Sequence, residues 1–134
     1  VGKNVTLANF KFVMQEFFSR LFSSGGGSAS GGKKNVKIRL RPSYFPFVEP
    51  GLEVDVECVK CGGKGCGICK ESGWLEIMGA GMVHPKVFEA AHYNPRDWQG
   101  FAFGLGLERI AMIKYNIPDI RLFCSGDLRF IKQF

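Results

Sequence analysis

Four cysteines constrain the fold of this chain more than any other feature, because they stand close together as two C-x2-C pairs. The pattern C-x2-C-x4-C-x2-C is formed by Cys58, Cys61, Cys66 and Cys69. Each pair can place two thiolates on one ion, so the two pairs complete a tetrahedral Zn²⁺ site. The glycines among them supply the tight turns that such a site requires. With every coordination position taken by protein, the metal is expected to be structural rather than catalytic.

Two alternatives to this zinc knuckle (residues 58–69) stay open. A pair of disulfides is disfavoured in a cytosolic protein, and a redox C-x2-C fits the doubled spacing poorly. The flanks, residues 54–57 and 74–78, look like two strands of a hairpin with the knuckle at its tip. Cys124 lies apart and is predicted to be a buried free thiol.

The remaining pattern predicts a single α+β domain. The 134 residues are 46% hydrophobic, enough for a real core. Residues 5–22 are predicted to form a helix with Thr6 as its N-cap, since apolar residues recur at spacings of three and four. That stripe consists of Phe10, Val13, Met14, Phe17, Phe18, Leu21 and Phe22.

Residues 23–33 are dense in glycine and serine and are predicted to be a flexible tether. Period-two alternation after it predicts strands at 36–41, 54–56, 74–78 and 101–105. Short helices are expected at 85–91 and 107–115. The sum is an antiparallel sheet flanked by helices.

The net charge of +6 is compatible with a polyanionic partner such as RNA, although charge alone decides little. The basic residues concerned are Lys33, Lys34, Lys37, Arg39, Arg41, Lys114, Arg121, Arg129 and Lys132. No apolar run is long enough to span a membrane, and the N-terminus lacks a signal-peptide pattern. We therefore expect a cytoplasmic protein without membrane contact.

The segment FAFGLGLER, residues 101–109, carries the second chemical signal. Ala102 and Gly104 share one face of a strand, which indicates either a closely packed helix or a slot for a flat substrate group. Arg109 falls in the first turn of a helix, where the macrodipole disfavours a cation, so a bound anion is one explanation. Glu108 beside it offers the other explanation, a simple neighbour or cap.

Several segments together resemble the alpha subunits of phenylalanyl-tRNA synthetases, a class II family. They are VTLANFKFVMQEFF (Val5–Phe18), RPSYFPFVEPG (Arg41–Gly51), GWLEIMGAGMVHPKV (Gly73–Val87), GFAFGLGLERIAMIKYNIPDIR (Gly100–Arg121) and DLRFIKQF (Asp127–Phe134). The resemblance implies a class II catalytic domain over residues 1–134, with a third-motif strand and helix at 100–121. It also implies ATP, phenylalanine and tRNA as reactants, Mg²⁺ as a cofactor and a beta subunit as a partner.

The resemblance further implies roles for individual residues. Arg109 becomes the catalytic, ATP-contacting arginine of GLGLER, with Gly106 beside it. Phe45 and Phe47 are expected on one side of an extended segment, facing the substrate ring. Ala102 and Gly104 match the floor of the phenylalanine pocket.

Three polar residues of these segments have roles that stay open. Glu49 and Glu76 are candidate contacts for the substrate amine or a metal; for Glu76 a solvated carboxylate is the alternative. Glu76 is expected on the same side as Trp74 and Met78. His84 is compatible with a purely structural hydrogen-bonding role.

The family's first and second motifs and its coiled-coil tRNA-binding arm are expected to lie outside this sequence. This chain alone should then be impaired in adenylate formation, and open sheet edges favour self-association or a partner chain. Two other classes stay open. One is a non-catalytic paralogue that binds phenylalanine or a nucleotide, and the other is a zinc-knuckle interaction module.

Overall fold

The computed structural model describes residues 1–23, 36–115 and 117–133, and shows an antiparallel sheet with helices. The sheet order follows the chain, with β1 (Ile38–Pro42), β2 (Val48–Glu57), β3 (Trp74–Val83) and β4 (Phe101–Leu105). The helices are α1 (Leu7–Ser23), α2 (Pro85–Ala90), α3 (Leu107–Tyr115) and α4 (Leu128–Ile131), with 3₁₀ turns at Gly67–Cys69 and Ile120–Cys124. The predicted α+β class is confirmed.

Strands β2 and β3 are each longer than their sequence pattern predicts. Their extra residues include glycines, which by composition alone indicate a turn. Here Gly51 of β2 pairs with Gly81 of β3, so the glycines lie inside the ladder. A Cβ atom at Gly81 would lie 2.4 Å from the Pro50 carbonyl oxygen, which explains why this crossing needs glycine.

Helix α1 covers one face of the sheet through a narrower stripe than expected. Thr6 caps it as predicted, in a reciprocal pair with Asn9. Phe10, Met14 and Phe18 are fully buried, and each contributes roughly 1.5–3 kcal/mol by leaving water. Val13 and Phe17 of the predicted stripe are 42% and 38% exposed, whereas Leu21 and Phe22 pack against the core.

The two faces of the sheet differ sharply in chemistry. The covered face packs against α1 and holds the apolar core, whose strand members include Leu52, Val54, Val56, Met78 and Ala80. The residues that alternate with them point to the opposite side, which we call the open face. It carries arginines, carboxylates and glycines, so the functional chemistry of the chain is concentrated there.

A β-bulge at Ile77 changes which residues reach the open face. Val54 pairs with Met78 but Asp55 pairs with Glu76, so Ile77 is an extra residue on β3. Met78 is buried in the core whereas Glu76 is exposed. The expectation that Glu76 and Met78 share a side was therefore wrong. Glu76 and Gly79 become successive residues on the open face.

Further predictions concern the tether, Cys124 and membrane contact. The tether at 23–33 lies outside the described residues, apart from Ser23, which is the last residue of α1. Cys124 was predicted to be buried and is exposed, because the 3₁₀ turn that ends with it runs along the surface. Among the described residues, no helix has both the length and the apolar character needed to cross a bilayer.

Candidate active site and metal centre

Small residues from two adjacent strands form a shallow strip across the open face. Gly79 pairs with Gly104, and Gly81 pairs with Ala102. A Cβ atom added at Gly104 would meet no atom within 4 Å, so space is open above it. Among the described residues, no atom therefore packs against this face at Gly104, whereas Ala102 on the same face is half-buried.

Two phenylalanines border this strip. Phe45 and Phe47 lie in a tight turn in which the Val48 amide donates to the Phe45 carbonyl, rather than in the extended segment expected from the prolines. The turn still brings their ring centroids to 6.0 Å, tilted by 31°. Phe47 is 55% exposed, so an aromatic face is presented to solvent beside the strip.

A charged network occupies the same face next to the strip. Asp55 is 1% exposed and accepts hydrogen bonds from Arg41 Nε (2.6 Å) and Arg39 Nη2 (2.6 Å). Arg41 Nη2 reaches Glu53 at 2.8 Å and Glu76 at 3.4 Å. Burial by itself would raise the pKa of Asp55, but the hydrogen bonds from Arg41 and Arg39 outweigh it and lower that pKa.

This network includes two arginines of the basic stretch. Arg39 and Arg41 share the Asp55 carboxylate, and the Arg39 guanidinium also lies 4.6 Å from the Trp74 ring centroid. Both arginines are engaged within the protein, with side chains that are 44% and 41% exposed, and a polyanionic partner stays a prediction. The other members of that stretch before Val36, Lys33 and Lys34, lie outside the described residues.

Arg109 joins the network from helix α3. Its Nη1 donates to the Glu76 carbonyl at 2.8 Å and lies 3.8 Å from a Glu76 carboxylate oxygen. The side chain is 51% exposed, so further donors of the guanidinium face outward. A cleft of about 860 Å³ opens beside this pair and extends between the knuckle and α3, lined in part by Ile68, Trp74 and Met112.

Glu49 is not part of this cluster. It lies near the start of β2, roughly 20 Å from Asp55 at the strand rise of about 3.3 Å per residue. Its carboxylate is 3.2 Å from His84 Nε2. His84 also caps α2 through its Nδ1, which accepts from the Lys86 amide at 3.1 Å. The structure therefore gives His84 a hydrogen-bonding role and separates Glu49 from Glu76.

The four cysteines converge at the tip of the β2–β3 hairpin. The strands run up to the knuckle as a Glu57–Trp74 pair, and all four sulfurs lie within 4.8 Å of one another. The Sγ distances are 3.8 Å for Cys58–Cys66, 3.8 Å for Cys61–Cys69 and 3.7 Å for Cys66–Cys69. A tetrahedral zinc site with Zn–S bonds of about 2.3 Å has sulfur–sulfur edges of about 3.8 Å.

The backbone around these sulfurs is arranged to donate to them. The Gly65 amide donates to Cys61 Sγ at 3.3 Å, and the Cys66 and Gly73 amides donate to Cys69 Sγ at 3.1 and 3.3 Å. Gly73 adopts φ +74°, and a Cβ there would lie 2.3 Å from the Gly63 oxygen. Such amide hydrogen bonds orient and stabilise thiolate ligands.

Two thiols of the knuckle have shifted acidities. Burial raises the pKa of the Cys58 thiol to about 11. The hydrogen bond from the Cys69 amide lowers the pKa of the Cys66 thiol. Each shift follows from the burial and the hydrogen bonds of that sulfur.

Sequence reasoning missed three residues of this site. Asp55 lies in the predicted strand at 54–56, and the alternation of two arginines on β1 and two acids on β2 could have predicted its cross-strand pairing. Gly79 and Gly81 carry no chemical group, so only the register of β3 with β4 reveals their position beside Ala102 and Gly104.

Comparison with known proteins decides the family. The family model for tRNA synthetases class II core domain (F) matches residues 1–134. This chain belongs to that family. The resemblance of its motifs to class II phenylalanyl-tRNA synthetases is thereby confirmed.

Curated relatives of the class II core domain agree. The chain is 54% identical over 134 residues to the phenylalanine–tRNA ligase alpha subunit of Herpetosiphon aurantiacus, covering 100% of this chain and 36% of that protein. It is 50% identical over 133 residues to the same subunit of Petrotoga mobilis, covering 99% of this chain and 36% of the relative. In both cases the chain spans about a third of the relative's length.

Proposed function

We propose that this class II core domain forms part of the catalytic domain of a phenylalanine–tRNA ligase alpha subunit. The reaction would activate phenylalanine with ATP and transfer it to tRNA. One observation carries the proposal: an aromatic-bordered strip of small residues lies directly beside the Glu76–Arg109 pair on one open face. Such a face can hold an apolar ring and a charged group of the same ligand.

In this proposal the ring of phenylalanine lies over the strip at Ala102 and Gly104. Phe45 and Phe47 border it, where an edge-to-face pair is worth about 0.5–1.5 kcal/mol beyond buried area. Glu76 lies next to the strip and would accept from the substrate amine. Arg41 Nη2 lies 3.4 Å from a Glu76 carboxylate oxygen and would help to orient that carboxylate toward an ammonium group.

Arg109 would serve as the catalytic, ATP-contacting residue, with Gly106 leaving room for the nucleotide at the start of α3. Its half-exposed guanidinium fits a phosphate and would stabilise the negative charge that develops as the adenylate forms. Mg²⁺ commonly binds through one or two carboxylates and the substrate phosphates, and the candidate carboxylate is Glu76, 3.8 Å from Arg109 Nη1. When bound, Mg²⁺ would neutralise phosphate charge.

Glu49 keeps a separate role as a candidate metal or partner contact at the other end of β2. Its carboxylate is 74% exposed and touches only His84 among the contacts of the described residues. The beta subunit and tRNA are proposed partners, and a cytoplasmic location remains a prediction.

We also propose that the knuckle binds one structural Zn²⁺ through Cys58, Cys61, Cys66 and Cys69. Three sulfur–sulfur distances match the edges of a zinc tetrathiolate, and backbone amides already donate to sulfurs of the cluster. Because protein fills every coordination position, this metal would stiffen the end of the hairpin that carries Trp74 and Glu76 and would take no part in the chemistry.

The proposed ligand can be tested by calorimetry on the chain itself. We expect saturable phenylalanine binding that weakens roughly tenfold in Phe47→Ala, because the variant loses an aromatic contact and buried area. Arg109→Ala should leave phenylalanine binding nearly unchanged but weaken the binding of a phenylalanyl-adenylate analogue at least about tenfold. Phe12→Ala and Arg129→Ala are matched controls, because these side chains are 71% and 89% exposed and lie outside the site.

Absence of phenylalanine binding by the folded wild-type chain would overturn the proposed ligand. Equal losses in Phe12→Ala and Phe47→Ala would overturn the assignment of the slot.

A second prediction concerns the depth of the slot. Ala102→Gly should improve the affinity for para-chlorophenylalanine relative to phenylalanine by about tenfold, since the methyl group blocks the space that the substituent needs. Ala102→Val should lower the affinity for phenylalanine itself. Parallel titrations of both amino acids check this, and a ratio that stays constant in both variants would contradict it.

A further inference from the structure

We infer that Gly79 is a specificity-determining residue of the phenylalanine slot, because its missing side chain fixes where the Phe45 ring lies. The inference rests on the proposed function and adds a residue that touches no substrate. It begins with the position of the ring. Phe45 lies across β2 and β3, close to Gly51 on one strand and Gly79 on the next.

The fit between ring and backbone is tight at both glycines. A Cβ atom at Gly79 would lie 2.9 Å from Phe45 Cζ and 3.4 Å from both Cε atoms, so the tip of the ring points at this residue. A Cβ atom at Gly51 would lie 3.2 Å from Phe45 Cδ2. The ring thus occupies the volume that two side chains would fill in an ordinary sheet.

The next position across the sheet is the open one. Gly79 pairs with Gly104, and nothing lies within 4 Å of a Cβ atom placed at Gly104. The ring tip of Phe45 therefore ends where the strip of small residues begins. Any shift of that ring changes the border of the slot directly.

The two glycines would respond differently to a side chain. At Gly51 the nearest atom is the Ser43 carbonyl oxygen, at 2.4 Å, so an added methyl group would displace backbone and threaten the fold. At Gly79 the three nearest atoms all belong to the Phe45 ring. The ring can rotate about its side-chain bonds, so Gly79→Ala should preserve the fold and move the ring instead.

The expected effect is a change of selectivity rather than of stability. Gly79→Ala should displace the tip of the Phe45 ring and lower the affinity for phenylalanine about tenfold, while the affinity for the smaller ligand alanine changes less than about twofold. Gly104→Ala also narrows the slot, but by placing its own methyl group there, independently of Phe45.

A double-mutant cycle separates these two mechanisms. The four chains are wild type, Gly79→Ala, Phe45→Leu and the double variant, and phenylalanine affinity is measured by calorimetry. We expect Gly79→Ala to cost about tenfold when Phe45 is present. In the Phe45→Leu background, which lacks the ring tip, the cost should be less than about twofold. Gly104→Ala should cost the same in both backgrounds.

NMR of the ligand-free chain gives an independent measurement. A nuclear Overhauser effect between the Gly79 α-protons and the Phe45 ring is expected in the wild type, and Gly79→Ala should shift the ring resonances. Absence of that effect overturns the inference even if the variant fails to fold. Equal penalties for Gly79→Ala in both backgrounds also overturn it, whereas a wild-type chain that binds no phenylalanine overturns the proposed function as well.

Discussion

Removal of the proposed Zn²⁺ from the knuckle is expected to disorder the hairpin tip while the sheet stays folded. Zinc-finger peptides gain about 10–16 kcal/mol of apparent free energy from Zn²⁺ at pH 7. In this chain the strands are held by the core that packs against α1. Only the part of the binding free energy that orders residues 58–69 should therefore be lost. Hydrogen exchange should therefore accelerate at the amides of the knuckle and remain slow at Val54 and Met78.

Substitution of one ligand tests the same site. Cys66→Ser should lower the affinity for Zn²⁺ by more than about 100-fold, since loss of even a supporting hydrogen bond costs about 10–100-fold in metal sites. Affinity should also fall with decreasing pH, because the thiols must lose their protons to bind. Cys124→Ser is the matched control: Cys124 is exposed and lies outside the four-sulfur cluster.

The metal content and the number of free thiols, measured on the same sample, decide between a zinc site, a pair of disulfides and a redox C-x2-C pair. One Zn²⁺ per chain with four protected thiols is the expected result. A folded, metal-free chain whose exchange pattern does not change with added Zn²⁺ would contradict the zinc site. Loss of four free thiols without bound metal would favour the pair of disulfides instead.

Loss of the Asp55 carboxylate is expected to destabilise the sheet by about 2–3 kcal/mol in Asp55→Ala. Breaking a fully buried ion pair costs about 3–5 kcal/mol, because it leaves an uncompensated charge. The penalty here should be smaller, since Arg39 and Arg41 are 44% and 41% exposed and can turn to water. Urea unfolding followed by circular dichroism measures the difference in free energy.

The same carboxylate predicts a pH dependence of stability. Its pKa is lower in the folded chain than in the unfolded chain, where the pKa of an aspartate is about 3.9. Its contribution is therefore fully present above about pH 4 and is lost as the pH falls from there through the folded pKa. Asp55→Ala should show a shallower decline than the wild type over that acidic range.

Glu57→Gln is the matched control for Asp55→Ala, because it removes an ion pair between the end of β2 and Lys37, the residue just before β1. Its partner Lys37 is 74% exposed and lies 3.4 Å away, so the expected cost is only about 0–1 kcal/mol. Equal destabilisation in both variants would contradict a special role for the buried pair.

The sequence by itself determined the features that depend on local spacing. The ends of β4 and α3, the cap at Thr6 and the placement of the four cysteines at a hairpin tip all follow from residues close together in the chain. The same holds for Arg109 in the first turn of α3. Periodicity, capping and ligand spacing act over a few residues, so they can be predicted without knowledge of the tertiary structure.

Only the tertiary structure decided which side chains share the open face. The bulge at Ile77 shifts Glu76 away from Met78 and places it beside Gly79, although strict alternation predicts otherwise. The burial of Asp55 under two arginines and the seating of Phe45 on Gly79 arise between strands. Strand register sets these contacts, and a shift of one residue reverses the face to which every later side chain points.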